Sequence, residues 1–247
     1  VTEREARTAL LERALDAHGG LLRWQRMHRA QGTVETDGLL LETKNPSPNS
    51  APLRFAVAMH EVWASLQTVG SGPRIDLTTE RIAIVANDGT VVAQDEEIRT
   101  SFAGHDMATP WNPLQRGFFG AYALWNYLNL PFLLTLPEIE LHQAAAVEVD
   151  GQMLAGIGAV FPATLPTHSH EQQFFFDADG LLRRHDYHLD IAGGAAVNHY
   201  VGDYVNANGI NVPTVRRAYL CDARGQTCWD QLLVHLRFSD IRFDGRP

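Results

Sequence analysis

Residues 167–191 read THSHEQQFFFDADGLLRRHDYHLDI. The stretch divides at Asp177-Ala178-Asp179-Gly180, a turn tetrapeptide whose glycine accepts the positive φ that tight turns require. Runs of strand length, rich in Phe, Leu, His and Tyr, lie on either side, so the stretch reads as two antiparallel strands. The rhythm continues in both directions, with turn pairs at Asp150-Gly151, Gly193-Gly194, Asn208-Gly209 and Arg224-Gly225. Nothing helical lies between them. Residues from about 139 to 243 are therefore expected to form one antiparallel meander.

Upstream, residues 2–18 repeat Ala6, Leu10, Ala14 and Ala17 at three- and four-residue steps, the period of a helix. Thr2 and Glu5 have capping-box spacing and Gly19-Gly20 stops the helix. LLRWQRM is expected to add a short helical turn, and RAQGTVETDGLLLE alternates as a strand. TKNPSPNSAP is a loop, LRFAVAMHEVWASLQTV a strand or strand pair, and RIAIVANDGTVVAQDE a hairpin about Asn87-Asp88-Gly89. After the loop SFAGHDMATPWNP, Asn112 and Pro113 open a helix over residues 113–128. Leu114, Phe118, Tyr122, Trp125 and Leu128 share one of its faces, and Phe119, Leu124 and Tyr127 make the rest apolar, so it should be buried. A long sheet twists and must cover such helices on one face. The expected class is α+β: a single domain over residues 1–247, in which a long curved antiparallel sheet, a half-barrel, wraps around a few helices.

The 247 residues are 45% hydrophobic and 20% charged, with a formal net charge of −9. This is a globular composition. The acidic balance argues against nucleic acid and against docking on anionic lipid. No apolar run approaches the roughly 20 residues of a membrane span. The charged opening VTEREARTALLERALDAHGG is not a signal peptide, and a cytoplasmic location is expected from it, with a periplasmic or secreted location as the alternative if a leader has been removed. Cys221 and Cys228 flank DARGQT; a two-residue turn at Arg224-Gly225 would set them opposite one another, but two reduced thiols are the expectation for that compartment. Dinucleotide, phosphate-loop, zinc and nucleophile-elbow motifs are missing, so no cofactor is expected.

The opening helix ending DAHGGLLRW, followed by a strand and a long meander, resembles the bacterial lipoprotein-carrier superfamily of LolA and LppX. The stretches FPATLPTHSHEQQFFFDADGLLRRHDY and PWNPLQRGFFGAYALWNYLNLPFLL are also similar to a group of bacterial proteins of this size. The resemblance implies an unclosed sheet holding helices and an apolar cavity for acyl chains. It transfers no catalytic residue.

Turn lengths suggest a register for the polar strands. His170 would face Tyr187, Tyr187 would face Tyr200, and Tyr200 would face Arg217, making one transverse row, with Gln172 facing His185 beside it. His168, Phe174, Arg183, Asn198 and Tyr219 would share that face. Glu171, Gln173, Arg184, Asp186, His188, His199 and Asp203 would lie on the other, with Arg184 opposite Asp203. Imidazoles, phenols and guanidinium groups among Phe and Leu fit a pocket wall for a small hydrophobic molecule. One expectation is therefore a cofactor-free acid/base enzyme, with His170, His185 or the loop residue His105 as base and Tyr187, Tyr200 and Arg217 as donors. Trp111, Phe118, Tyr122 and Trp125 would line the pocket. The alternatives are a non-catalytic carrier of lipid or another apolar ligand, and an enzyme with a metal on His168, His170 and His185.

Overall fold

A computed structural model of the chain describes residues 2–45, 51–70 and 72–245. It opens with α1 (Glu3–Ala17) and the short α2 (Leu21–Trp24). Thr2 and Glu5 form the expected capping box. Strand β1 (Met27–Asp37) follows, and then a helical turn, α3 (Leu39–Lys44). The strand expected through Glu42 ends early, because Gly38 turns the chain at φ +123, where a Cβ would meet the Leu233 carbonyl oxygen at 2.4 Å. The centre of the Pro/Ser/Asn loop, residues 46–50, lies outside the described residues.

Five strands come next: β2 (Leu53–Ala58), β3 (Trp63–Thr68), β4 (Arg74–Thr78), β5 (Ile82–Val85) and β6 (Val91–Asp95). Of these, β4 had no reading in the sequence. The long helix α4 (Pro113–Asn129) leads into the meander of β7 (Glu140–Val149), β8 (Gln152–Val160), β9 (Glu171–Phe176), β10 (Leu182–Leu189), β11 (Ala195–Ala207), β12 (Ile210–Cys221) and β13 (Thr227–Gly245).

All 13 strands join one antiparallel sheet in the order β6-β5-β4-β3-β2-β1-β13-β12-β11-β10-β9-β8-β7. Two wings meet at the β1–β13 pair. The outer strands β6 and β7 do not pair with each other, so the sheet is a half-barrel. The chain crosses between those two edges through α4, which places the helix on the concave side.

Three features make α4 a suitable plug. Its start is capped: Asn112 Oδ1 accepts from the Gln115 N–H and Gln115 Oε1 accepts from the Asn112 N–H, each at 2.9 Å. Pro113 occupies the first turn. Residues 121–129 are all buried, including two asparagines. Those asparagines are satisfied: Asn126 donates to the Tyr122 and Pro166 carbonyls, and Asn129 to the Trp125 and Ala58 carbonyls. The helix is thereby tied to both walls.

Four of the five meander turns are tight hairpins. At Arg224-Gly225 the register sets Cys221 against Thr227, not against Cys228, and both cysteines are free. Replacing Asn112 with Ala removes the cap, and a stability loss of about 1 kcal/mol is expected. Equilibrium urea unfolding of the Asn112→Ala variant measures it, and an unchanged midpoint contradicts the role given to this cap.

Candidate functional site

The β10–β11 connection decides which side chains face inward. Leu189 pairs with Ala195, and residues Asp190–Ala192 form a 3-10 turn, so the link has five residues where two had been expected. Tyr187 therefore pairs with Val197 and His185 with His199. The shift relative to the expected register is an odd number of residues, so it reverses every side chain beyond it. The next pairing is as expected, with Tyr200 against Arg217 and Asn198 against Tyr219, but on the face away from α4. On the β9 side the turn sets Phe176 against Leu182, one residue beyond the expected Leu181, and a bulge near Arg184 adds one more; the two together leave the faces beyond them as expected, with Tyr187 against Gln172 and His185 against Phe174.

The inner face thus gathers His168, His185, Tyr187, His199 and Arg216 against Tyr122 and Tyr127 of α4. His168 stacks on Tyr187 with ring centroids 4.0 Å apart. Its Nδ1 lies 3.1 Å from the Tyr122 hydroxyl and its Nε2 lies 2.8 Å from the Tyr127 hydroxyl. One ring nitrogen of a neutral imidazole donates and the other accepts, so one phenol accepts from His168 and the other donates to it. Gln172 Nε2 donates to the Ser169 carbonyl, which turns Gln172 Oε1 toward His185 Nε2 at 2.7 Å. Nε2 of His185 therefore carries the proton. His199 lies edge-on to Tyr127 and stacks with His185.

Electrically this cluster is almost neutral. Burial, reinforced by Arg99 and Arg216, holds His168 at about 3. Burial first, and nearby Arg216 and histidines after it, hold His185 and His199 well below the usual imidazole range. Burial raises Tyr122 and Tyr187 well above the phenol range and pushes Tyr127 up to about 12. Arg216 is 1% exposed, and burial lowers it to about 10, so it remains charged at neutral pH.

Several expected site residues lie elsewhere. His170 and Arg217 are exposed. Tyr200 is on the outer face, 2.7 Å from Thr227 Oγ1, with its ring against Trp229. Asn198 is held on that face by Thr227 and Gly225, and Tyr219 packs on Trp229. Arg183 pairs with Asp177 at 2.5 Å, and Arg184 pairs with Asp186 of its own strand, not with Asp203. His105 is half-buried beside Phe102. Trp111 is buried and lines the recess at the mouth of the cavity described below, while Phe118 and Trp125 are buried packing residues, and Trp125 donates to the Glu61 carbonyl. The metal expectation also gives way: residues 168–170 precede β9, His170 points into solvent, and both nitrogens of His168 are engaged. Among the described residues, no group of three or more His, Cys, Asp or Glu is placed to hold a metal ion. Sequence reading missed Arg216, placed His199 on the wrong face, and took Tyr127 only as apolar surface. The parity of the β10–β11 link was the missing signal.

The open space lies on the other flank of α4. A cavity of about 340 Å³ separates the helix from the N-terminal wing. Its strand side includes Val34, Leu66, Ile75 and Leu236, and its helix side Gly120, Ala123, Leu124 and Tyr127. A recess of about 370 Å³ shares Thr36, Leu41, Asn45, Arg116 and Phe119 with it and adds Asp37, Glu42 and Lys44, so the apolar chamber continues into a polar mouth. The expected pocket is thus displaced from the histidine wing to the opposite one.

No protein-family model matches the sequence, and no curated protein is similar to it. Solved structures do match along nearly the whole chain. A LolA superfamily protein from Nitrosomonas europaea has a TM-score of 0.54 at 10% identity, over 100% of this chain and 96% of its own. A DUF1329 family protein from Desulfovibrio piger has a TM-score of 0.55 at 10% identity, over 96% of this chain and 92% of its own. A putative outer membrane lipoprotein-sorting protein domain from Vibrio parahaemolyticus has a TM-score of 0.51 at 11% identity, over 96% of this chain and 91% of its own. The fold is a LolA-like half-barrel.

That outcome corrects the enzyme reading. The similar structures are named for the LolA superfamily and for lipoprotein sorting, and none of these names is that of a reaction. The residues agree. The row drawn through His170, Tyr187, Tyr200 and Arg217 is split between two faces and solvent. The imidazole that does lie at the centre, held at about 3, has almost no basicity left for proton transfer near neutrality.

The neutral histidines also make a pH prediction. Each takes up a proton on unfolding below the ordinary value of about 6.5, but not in the folded state. Their stabilisation is complete above that value and is lost as pH falls toward the folded value, which for His168 is about 3. Within that window each such histidine contributes a slope of up to about 1.4 kcal/mol per pH unit. Unfolding free energies across this range should show the decline, and His199→Phe should remove about one proton from it.

Proposed function

We propose that the protein is a non-catalytic carrier of an apolar ligand, held between α4 and the N-terminal wing. The observation that carries this reading is the apolar cavity lined by Val34, Leu66, Ile75, Leu236 and the small-residue face of α4. Its volume of about 340 Å³ falls in the range of small-ligand sites, roughly 300–1,000 Å³. A chain laid there would gain about 0.8 kcal/mol for each buried methylene. The recess beside Asp37, Glu42 and Arg116 gives a ligand a hydrated way into the chamber.

The fold supports the same reading, since the similar structures include a LolA superfamily protein and a putative lipoprotein-sorting domain. The reading carries with it a location in the bacterial cell envelope, in place of the cytoplasm expected from the opening residues. No helix among the described residues is long and apolar enough to cross a membrane.

Ala123 lines the cavity and is 5% exposed, so a larger side chain there fills the chamber from the helix side. Nile red, a neutral apolar dye, is expected to brighten and shift to the blue on binding the wild-type chain. Ala123→Phe should weaken its binding by at least about tenfold, with the circular dichroism spectrum and melting profile of a folded protein. Equal binding by a folded variant would place the dye elsewhere and remove the cavity as the ligand site.

A further inference from the structure

Arg216 is fully buried, yet it has no acidic partner. Its Nη2 donates to the Tyr127 carbonyl at 3.1 Å and its guanidinium carbon stands 4.3 Å from the Tyr127 ring centroid. Its Nε and Nη1 have no partner among the described residues. The groups that act most on its charge are the phenols Tyr127, Tyr204 and Tyr187, all neutral. A cation with unused donors in a dry interior is costly unless an anion joins it. Nothing in the described chain supplies that anion.

The register shows where it could come from. Thr36, Leu236 and Arg216 form one transverse row across β1, β13 and β12. Thr36 and Leu236 line the apolar cavity, and Arg216 is the next side chain in the row, one strand spacing of about 4.8 Å further on. Tyr127 is shared by both features: it lines the cavity and carries the guanidinium on its ring. Arg216 is therefore the strand neighbour of the cavity wall at Leu236, with the cavity-lining Tyr127 ring against its guanidinium.

We infer that Arg216 receives the carboxylate of a single-chain amphiphile whose tail fills the cavity, with Tyr127 turning aside to admit it; this rests on the carrier reading above. A carboxylate brings one negative charge to one buried cation and leaves the neutral cluster balanced. A phosphate monoester, at about −1.5 to −2, would leave excess charge in the same dry setting. The chamber, about 340 Å³, sits at the low end of ligand sites and suits one chain better than two.

The test uses the whole chain loaded with Nile red, with dodecanoate and dodecanol as competitors, at a pH where dodecanoate is ionised. Dodecanoate should displace the dye at about tenfold lower concentration than dodecanol, the scale of one charge-assisted contact. Arg216→Met, which replaces the buried charge with an apolar chain, should abolish that preference while still binding dodecanol. Equal competition in the wild type overturns the inference, and so does a preference that survives in Arg216→Met. If neither competitor displaces the dye, the carrier reading itself falls. Should Arg216→Met fail to fold, the wild type still decides: the Arg216 Nε–H resonance should shift in ¹⁵N–¹H spectra with dodecanoate and not with dodecanol, and an unmoved resonance overturns the inference.

Discussion

A helix that is apolar on every side cannot rest on one surface, and α4 is such a helix. Residues 121–129 have no exposed member. Because α4 also links β6 to β7, the two edges of the sheet, its burial and the curvature of the sheet are one requirement. The strands have to bend round far enough to enclose the connector, and the connector stops the edges from meeting. The buried Asn126 and Asn129 then set its height, since their amides must find the Pro166 and Ala58 carbonyls on opposite walls. A buried amide without such partners would cost far more than the bonds themselves contribute.

The two flanks of α4 are used differently. On one, Tyr122 and Tyr127 meet His168, His185, Tyr187 and His199 in a packed aromatic set whose rings lie 4.0 to 6.1 Å apart. On the other, Gly117, Gly120 and Ala123 present almost no side chain. A Cβ on Gly117 would lie 2.9 Å from Ile75, and one on Gly120 would lie 3.2 Å from Leu66. Those strands therefore approach the helix closely at its small residues. The space that remains lies around them, bounded largely by aliphatic groups.

The meander, the α4 cap and the half-barrel were legible in the sequence because each depends on local rules: turn glycines, a capping pair and an all-round apolar helix. The site was half legible. His168, Gln172, Phe174, His185 and Tyr187 do share the inner face, and Tyr122 does meet them. Tyr200, Asn198, Arg217 and Tyr219 do not, because Gly193-Gly194 resembles a two-residue turn while Ile191 and Ala192 are drawn into the core as part of a longer link. That preference is tertiary and leaves no mark on strand periodicity. The cavity was illegible for a related reason. A search for apolar stripes treats Gly117, Gly120 and Ala123 as gaps, and only the packed wing shows what the gaps admit.

The remaining question is why an apolar chamber should end near a buried cation. Burial of methylenes is non-directional, so a greasy cavity alone accepts any chain of suitable length. A charge in a dry wall discriminates instead, because an unmatched ligand leaves it unpaired while a matched one satisfies it. The neutral phenols and imidazoles around Arg216 make this discrimination sharper. They tolerate the cation through ring faces and dipoles but cannot cancel it, and their displaced titrations keep them from gaining charge as pH moves near neutrality. The histidine cluster is then electrostatic padding, and its ionisable appearance in the sequence conceals groups that the fold keeps from ionising.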